Sequence, residues 1–239
     1  MLNRCELVNF LFDIDGTLTE PRGKMNEDFR RRFGTWVTLQ RESGNSVYLV
    51  TGSDKDKTVE QIGTALWRHV NGSYQNCGNQ LYKRGRLIKE SNWQMTAHLH
   101  LDLLILAERS PWYNKADKKI EERIGMVNFS TLGRDASVKL RKSYFEWDKA
   151  AGERKSNAEW LSLRYPKLDF SIGGEISTDI YPKGKDKSQV LDDLCGRSIF
   201  FGDSCNEGGN DHTIAHSCDH FHQVLNWKDC DYIMRSYYG

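Results

Sequence analysis

Residues Val8–Phe12 (VNFLF) form a short apolar run, with the length and residue types of a strand buried on both faces. Phe29, Phe33, Trp36 and Val37 then recur at helical spacing, which predicts a helix covering the sheet. A second apolar run at 47–50 predicts another strand, and Val59, Ile62 and Leu66 mark the next helix. Strand, helix, strand, helix is the order of a parallel doubly wound sheet. The middle of the chain has a different rhythm. Residues 126–130 read as a strand, and runs at 170–172 and 176–181 flank Gly173-Gly174, a hairpin signal because both glycines tolerate positive φ. Helices are expected around 95–106, 137–147 and 158–163. Alternation returns with a helix after Lys187 and a strand at 199–201. The expected fold is therefore α/β: a doubly wound parallel-sheet core from residues 1–82 and 186–239, with an α+β segment inserted at 83–185.

Composition narrows the partners. With 239 residues, 38% hydrophobic and 28% charged, the chain can bury an ordinary globular core. A net charge of +1 lacks the basic excess of a dedicated nucleic-acid surface. No apolar stretch reaches the ~18 residues that cross a bilayer, so no membrane is expected. The segment 1–12 shows no cleavage site and is read as carrying no signal peptide. Cys5, Cys77, Cys195, Cys205, Cys218 and Cys230 form no CxxC pair, which points away from a disulfide framework and toward a reducing, cytoplasmic setting.

Ligands of a parallel sheet bind outside the carboxyl ends of its strands. Three strand ends here carry polar groups: Asp13 with Asp15, Thr51 with Ser53, and Gly202 with Asp203. Carboxylates gathered at one edge repel one another unless a cation lies between them. Mg²⁺ takes oxygen ligands and shares them with phosphate, so Asp13, Asp15 and Asp203 are the candidate metal ligands. Asp13, anionic at neutral pH, is the candidate nucleophile toward phosphorus. Asp15, two residues on, is the candidate general acid and base, and Lys187 is suited to neutralising the charge of nucleophile and phosphate. The bland alternative, a strand-to-helix turn with capping Asp and Thr, leaves Thr51, Lys187 and Gly202-Asp203 in their observed order unexplained.

Phe12-Asp13-Ile14-Asp15-Gly16-Thr17-Leu18-Thr19 resembles the first motif of the haloacid dehalogenase superfamily. Within it the chain resembles the eukaryotic-type phosphomannomutases. The matches are Pro21-Arg22, Gly-Met-x-Asn-x-Ser-x-x-Gly-Arg from Gly125 to Arg134, Phe-Ser-Ile-Gly-Gly from Phe170 to Gly174, and Phe-Phe-Gly-Asp with Gly-Gly-Asn-Asp-His from Phe200 to His212. The resemblance implies that the inserted segment is a cap over a hexose phosphate. It maps substrate-binding roles onto Arg22, Arg123, Arg134, Arg141, Ser177 and Asp179, with Thr51 and Ser53 beside the reacting phosphoryl group. It further implies a mutase cycle through phospho-Asp13, interconverting mannose 6-phosphate and mannose 1-phosphate, with a hexose 1,6-bisphosphate as activator and a homodimer formed through the cap.

The physical reading of the cap agrees, since guanidinium forks clamp phosphate bidentately and Ser177 and Asp179 alternate onto one side of a strand. Two places depart from the pattern. Thr51 looks more like the related sugar phosphatases, where the mutases usually carry glycine, and it keeps a sugar-phosphate phosphatase as the alternative. The stretch after His212 matches no second cation-binding loop. There His212 and His216 could share a helix face and, with Cys218, suit zinc. The active-site loop already explains Asn210-Asp211-His212 and no paired cysteines appear, so zinc is not expected. A third reading, a non-catalytic binding protein on the same scaffold, sits badly with intact Asp13, Asp15, Lys187 and Asp203.

Overall fold

The computed structural model describes residues 7–239; Cys5 and the start of the segment read as free of a signal peptide lie outside the described residues. The chain divides into two compact units, one comprising the residues up to Glu90 with Lys185–Gly239, the other Ser91–Gly184.

The first unit is built on β1 (Val8–Phe12), β2 (Ser46–Val50), β3 (Gly72–Gln75), β4 (Gln80–Lys83) and β5 (Arg86–Glu90), completed from the far end of the chain by β10 (Arg197–Gly202) and β11 (His220–Gln223). The sheet order is β11-β10-β1-β2-β3-β4-β5. Every pairing from β11 to β3 is parallel, and β4 and β5 add an antiparallel hairpin. That hairpin corrects the expected boundary: a cut after residue 82 would fall inside β4, whereas β5 remains hydrogen-bonded to the sheet and the division lies after Glu90.

Helix α1 (Glu27–Glu42) starts at Asn26, whose side-chain oxygen accepts from the amides of Asp28 and Phe29. It buries Phe29, Phe33, Trp36 and Val37, the positions its spacing marked. Phe33 meets Phe12 edge-on at 5.2 Å, and Phe12 stacks on Phe201 of β10 at 4.6 Å. Fully burying each such ring contributes about 2–3 kcal/mol. The next expected helix is two: α2 (Lys55–Ile62) and α3 (Thr64–His69) are divided at Gly63, whose φ of 84° no helix continues. The helix expected after Lys187 is a 3₁₀ segment, Lys187–Asp193, and its three-residue turn puts Lys187 and Val190 on one buried side. Helices α7 (His212–Ser217) and α8 (Trp227–Tyr238) complete this unit.

The second unit contains α4 (Ala97–Arg109), β6 (Ile120–Arg123), β7 (Met126–Phe129), α5 (Val138–Ala151), α6 (Glu153–Arg164), β8 (Leu168–Gly173) and β9 (Ser177–Pro182). Its strands form an antiparallel sheet in the order β6-β7-β9-β8. Leu99, Leu103 and Ala107 of α4 and Leu161 of α6 pack with Val127, Phe129 and Ile180 of the sheet. The β8–β9 hairpin forms as expected, but of the two glycines only Gly174 takes a positive φ, 53°. Arg154 secures this turn: paired with Asp148 at 2.6 Å, it also donates to the Gly174 carbonyl at 3.0 Å.

Candidate active site

Neighbouring strands β10, β1 and β2 end side by side, and their following residues are Asp203, Asp13 and Thr51. The Asp13 amide donates to the Phe201 carbonyl at 2.9 Å, extending the β1–β10 ladder by one residue and fixing where its side chain starts. Beyond it the chain folds back on itself. The amides of Leu18 and Thr19 both donate to the Ile14 carbonyl, at 2.9 and 3.0 Å, and buried Ile14 and Leu18 plug the loop into the core. Gly16 has a φ of 83°, and a Cβ on it would stand 2.5 Å from Asp203 Oδ2. The glycine is thus required both for the turn and for the approach of a carboxylate.

Lys187 is the electrostatic hinge of this loop. Its ammonium, 1% exposed, donates to Asp13 Oδ1 at 2.6 Å and to Asp211 Oδ1 at 2.5 Å. Burial works against the charged ammonium, but the two carboxylates outweigh it and hold Lys187 above its ordinary pKa. Asp13, Asp203 and Asp211 each offer an oxygen, all within 4.8 Å of one another. Burial pushes Asp13 up to about 8 against the pull of Lys187, with Asp211 and Asp203 adding to the rise. Asp203 is raised too, by burial and then by Asp211. Three carboxylates facing one ammonium leave an excess of negative charge in a buried place. Hard oxygen donors at this spacing, lacking a compensating charge, fit a divalent cation of the Mg²⁺ kind.

The cluster differs in one member from the expected metal set. The Asp15 side chain lies outside it, accepting at 2.7 Å from both the Arg22 amide and Gln61 Nε2. Asp211 takes the place instead. Its motif, Gly-Gly-Asn-Asp, was legible as an active-site loop, but nothing in the spacing assigned its carboxylate. Arg22 meets Asp15 through its backbone, at a φ of 59°, and its side chain is exposed. Thr51 is buried, and its hydroxyl accepts from the Ser53 amide at 3.1 Å while Ser53 accepts through its carbonyl from Asn76. Gln61 and the buried Thr17 hydroxyl, which has no protein partner, complete the loop; the role of Gln61 had no sequence signal.

In the second unit, Glu121 on β6 receives two arginines. Arg123 Nε donates to its Oε1 at 2.9 Å, and Arg134 Nε to its Oε2 at 3.2 Å. Arg134 also reaches Ser177 Oγ through Nη1 at 2.7 Å. Arg141 spends its guanidinium on the carbonyls of Ala136 and Arg134, so it braces the segment that carries Arg134. Asp179, two residues along β9 from Ser177, accepts from Asn128 Nδ2 at 2.5 Å across the β7–β9 pair. The dense protein around Asp179 raises its pKa, with Asn128 and the arginines opposing. Arg123, Ser177 and Asp179 lie on strands of one sheet, and Arg134 reaches Glu121 and Ser177 from the loop after β7; Glu121 and Asn128 join them as unanticipated partners.

Similarity to known proteins identifies the family. A family model described as eukaryotic phosphomannomutase matches residues 37–237. A phosphomannomutase of Arabidopsis thaliana is 34% identical over 228 residues, covering 87% of this chain and 86% of its own. One of Encephalitozoon cuniculi is 32% identical over 237 residues, covering 90% and 87%. Among solved structures, a protein of Streptococcus mutans superposes with a TM-score of 0.67 at 13% identity, covering 97% of this chain and 98% of its own. A sugar phosphatase of the haloacid dehalogenase superfamily, BT4131, superposes at 0.58 and 12%, covering 96% and 98%. At such identities the structural likeness speaks for the fold, which is that of the haloacid dehalogenase superfamily. The matched length and the identity to relatives together decide the family: this chain belongs to the eukaryotic phosphomannomutases.

Proposed function

We propose that the chain interconverts the 1- and 6-phosphates of a hexose, with mannose phosphate as substrate, through a phosphoryl group carried on Asp13. The observation that carries this reading is Lys187 held between Asp13 and Asp211, with Asp203 close by. Asp13, Asp203 and Asp211 would hold Mg²⁺, which supplies charge screening for an anionic nucleophile approaching an anionic phosphate. Asp13 attacks phosphorus, its bond to oxygen forms, and the ester bond to the sugar breaks. Asp15, kept out of the carboxylate cluster by Gln61 and the Arg22 amide, gives its proton to the departing sugar oxygen. In the reverse direction Asp15 takes the proton from a sugar hydroxyl as that oxygen attacks phospho-Asp13. One transfer in each direction, on different hydroxyls, passes through a hexose 1,6-bisphosphate and relocates the phosphate. The same bisphosphate, added in trace, would prime the phosphoenzyme. Arg123 and Arg134 recognise a phosphate of the substrate, while Asp179 and Ser177 hydrogen-bond its polar groups.

The exposed side of α4, with Leu101, Leu104 and Ile105 at helical spacing, supports a homodimer formed through the second unit. The scattered cysteines, with no CxxC pair, are in keeping with a cytoplasmic setting. Phosphorus NMR of the protein with Mg²⁺, mannose 1-phosphate and catalytic glucose 1,6-bisphosphate tests the function. Appearance of the 6-phosphate is expected, and Asp13→Asn should abolish it. Release of inorganic phosphate alone would replace the mutase with a phosphatase.

A further inference from the structure

His212 and His216 stand four residues apart on α7, and their rings face each other with centroids 4.3 Å apart and planes 31° apart. His216 is exposed and His212 partly so. Neither ring takes part in the phosphoryl chemistry proposed above. Two contacts prepare His216 as a ligand. Its Nδ1 lies 2.9 Å from the backbone oxygen of His212. A carbonyl only accepts, so the proton sits on Nδ1 and a neutral ring keeps its lone pair on Nε2. Bonds of this kind orient metal-ligating imidazoles and fix their tautomer. Phe221 then packs against the His216 ring at 5.1 Å, limiting its swing.

We propose that His212 and His216 form a two-imidazole site for a borderline transition-metal ion such as Zn²⁺, Ni²⁺ or Cu²⁺. Histidines at i and i+4 present both rings on one helix face, and imidazole nitrogen suits these ions where Mg²⁺ prefers oxygen. The site is therefore chemically distinct from the carboxylate cluster, although Asp211 immediately precedes α7. Among the described residues the carboxylate cluster is the sole group of three or more candidate metal ligands, so water would complete the coordination at the histidine pair. Cys218, considered earlier as a third ligand, contributes nothing: burial pushes its thiol up to about 11, away from the thiolate that binds metal. The other histidine pair, His220 and His222, is not prepared in the same way. Its rings cross at 84°, and His222 Nε2 already contacts the Tyr238 hydroxyl at 2.8 Å.

The test is Cu²⁺ binding to the full chain in saturating Mg²⁺, followed by electron paramagnetic resonance and calorimetry. The spectrum should show nitrogen splitting from two imidazoles, and Mg²⁺ should not displace the ion. His216→Ala should weaken binding at least about tenfold, the lower end of the range for disturbing a metal's ligand shell. His220→Ala should leave it unchanged. Equal binding by wild type and His216→Ala, loss in His220→Ala instead, or displacement by Mg²⁺ would each overturn the proposal. The metal-free melting temperature of each variant checks the fold, and His216→Asn repeats the test if alanine lowers it. These readouts are independent of turnover, so they stand or fall apart from the mutase reading.

Discussion

At Gly16 a methyl group would have nowhere to go: its Cβ would press on the Asp203 carboxylate from a backbone at positive φ. Gly16→Ala is therefore expected to displace Asp203 more than it unfolds the protein. Turnover at saturating substrate should need roughly 10–100-fold more Mg²⁺, the scale of disturbed metal supports. An unchanged Mg²⁺ requirement would show that Asp203 is not a ligand. Residue identities at this site were largely legible from sequence, because Asp13, Lys187 and Asp203 come in a recognisable order with recognisable neighbours. The direction in which each carboxylate points was not. Asp15 is drawn away from the cluster by Gln61, which lies 46 residues further along, and no spacing rule relates the two. Asp211 joins the cluster because Lys187, from a 3₁₀ turn, reaches both it and Asp13.

Among the elements, β6 carries an inconspicuous side chain that joins two arginines of the second unit. Glu121 sits in a short polar strand, IEER, with no motif to mark it, yet it accepts from both Arg123 and Arg134. Glu121→Gln keeps the size and removes the charge that aligns the two guanidiniums. KM for a hexose phosphate should rise about tenfold or more, at about 1.4 kcal/mol per decade, with turnover of a small aryl phosphate unaffected. Equal effects on both substrates would count against phosphate recognition by this pair. The same carboxyl also sets a pH dependence. Burial opposes its ionisation, but Arg123 and then Arg134 outweigh burial and hold its pKa below the ordinary glutamate value. A lowered folded-state pKa gives stability that is present above the unfolded value, near ~4.3, and is lost as pH falls through the folded one. Acid unfolding should accordingly begin at lower pH relative to neutral-pH stability in Glu121→Gln than in wild type, measured by circular dichroism. Periodicity found α1 and the helices of the second unit because their buried positions are regular. It missed the break at Gly63 and the 3₁₀ form after Lys187, where single-residue backbone geometry overrides the apolar spacing.

For the molecule as a whole, the parallel order of strands and the insertion could be read from the chain, since each rests on runs of several residues. The edge hairpin could not: β5 is exposed along its length and lacks the apolar signature that identified the buried strands. Assembly is open to a direct test. Light scattering should report a dimer for the wild-type protein and a monomer for Leu104→Glu, which places a charge amid the exposed α4 side chains. A monomeric wild type would remove the dimer from the proposal. The path of the chain through the sheet has a further consequence for how the protein is made. Phe10 pairs with Val47 on one side but with Ile199 on the other, so β1 waits for a partner translated after the whole of Ser91–Gly184. Domains tend to fold as units while synthesis proceeds. The inserted unit is contiguous and leaves the ribosome complete, whereas Lys187, Asp203 and Asp211 all follow it. A nascent chain interrupted before Lys187 thus carries Asp13 and the whole inserted unit but none of Lys187, Asp203 and Asp211. Such premature products would hold Asp13 without the ammonium and carboxylates that surround it, and quality control would meet them as half-built hosts around a finished guest.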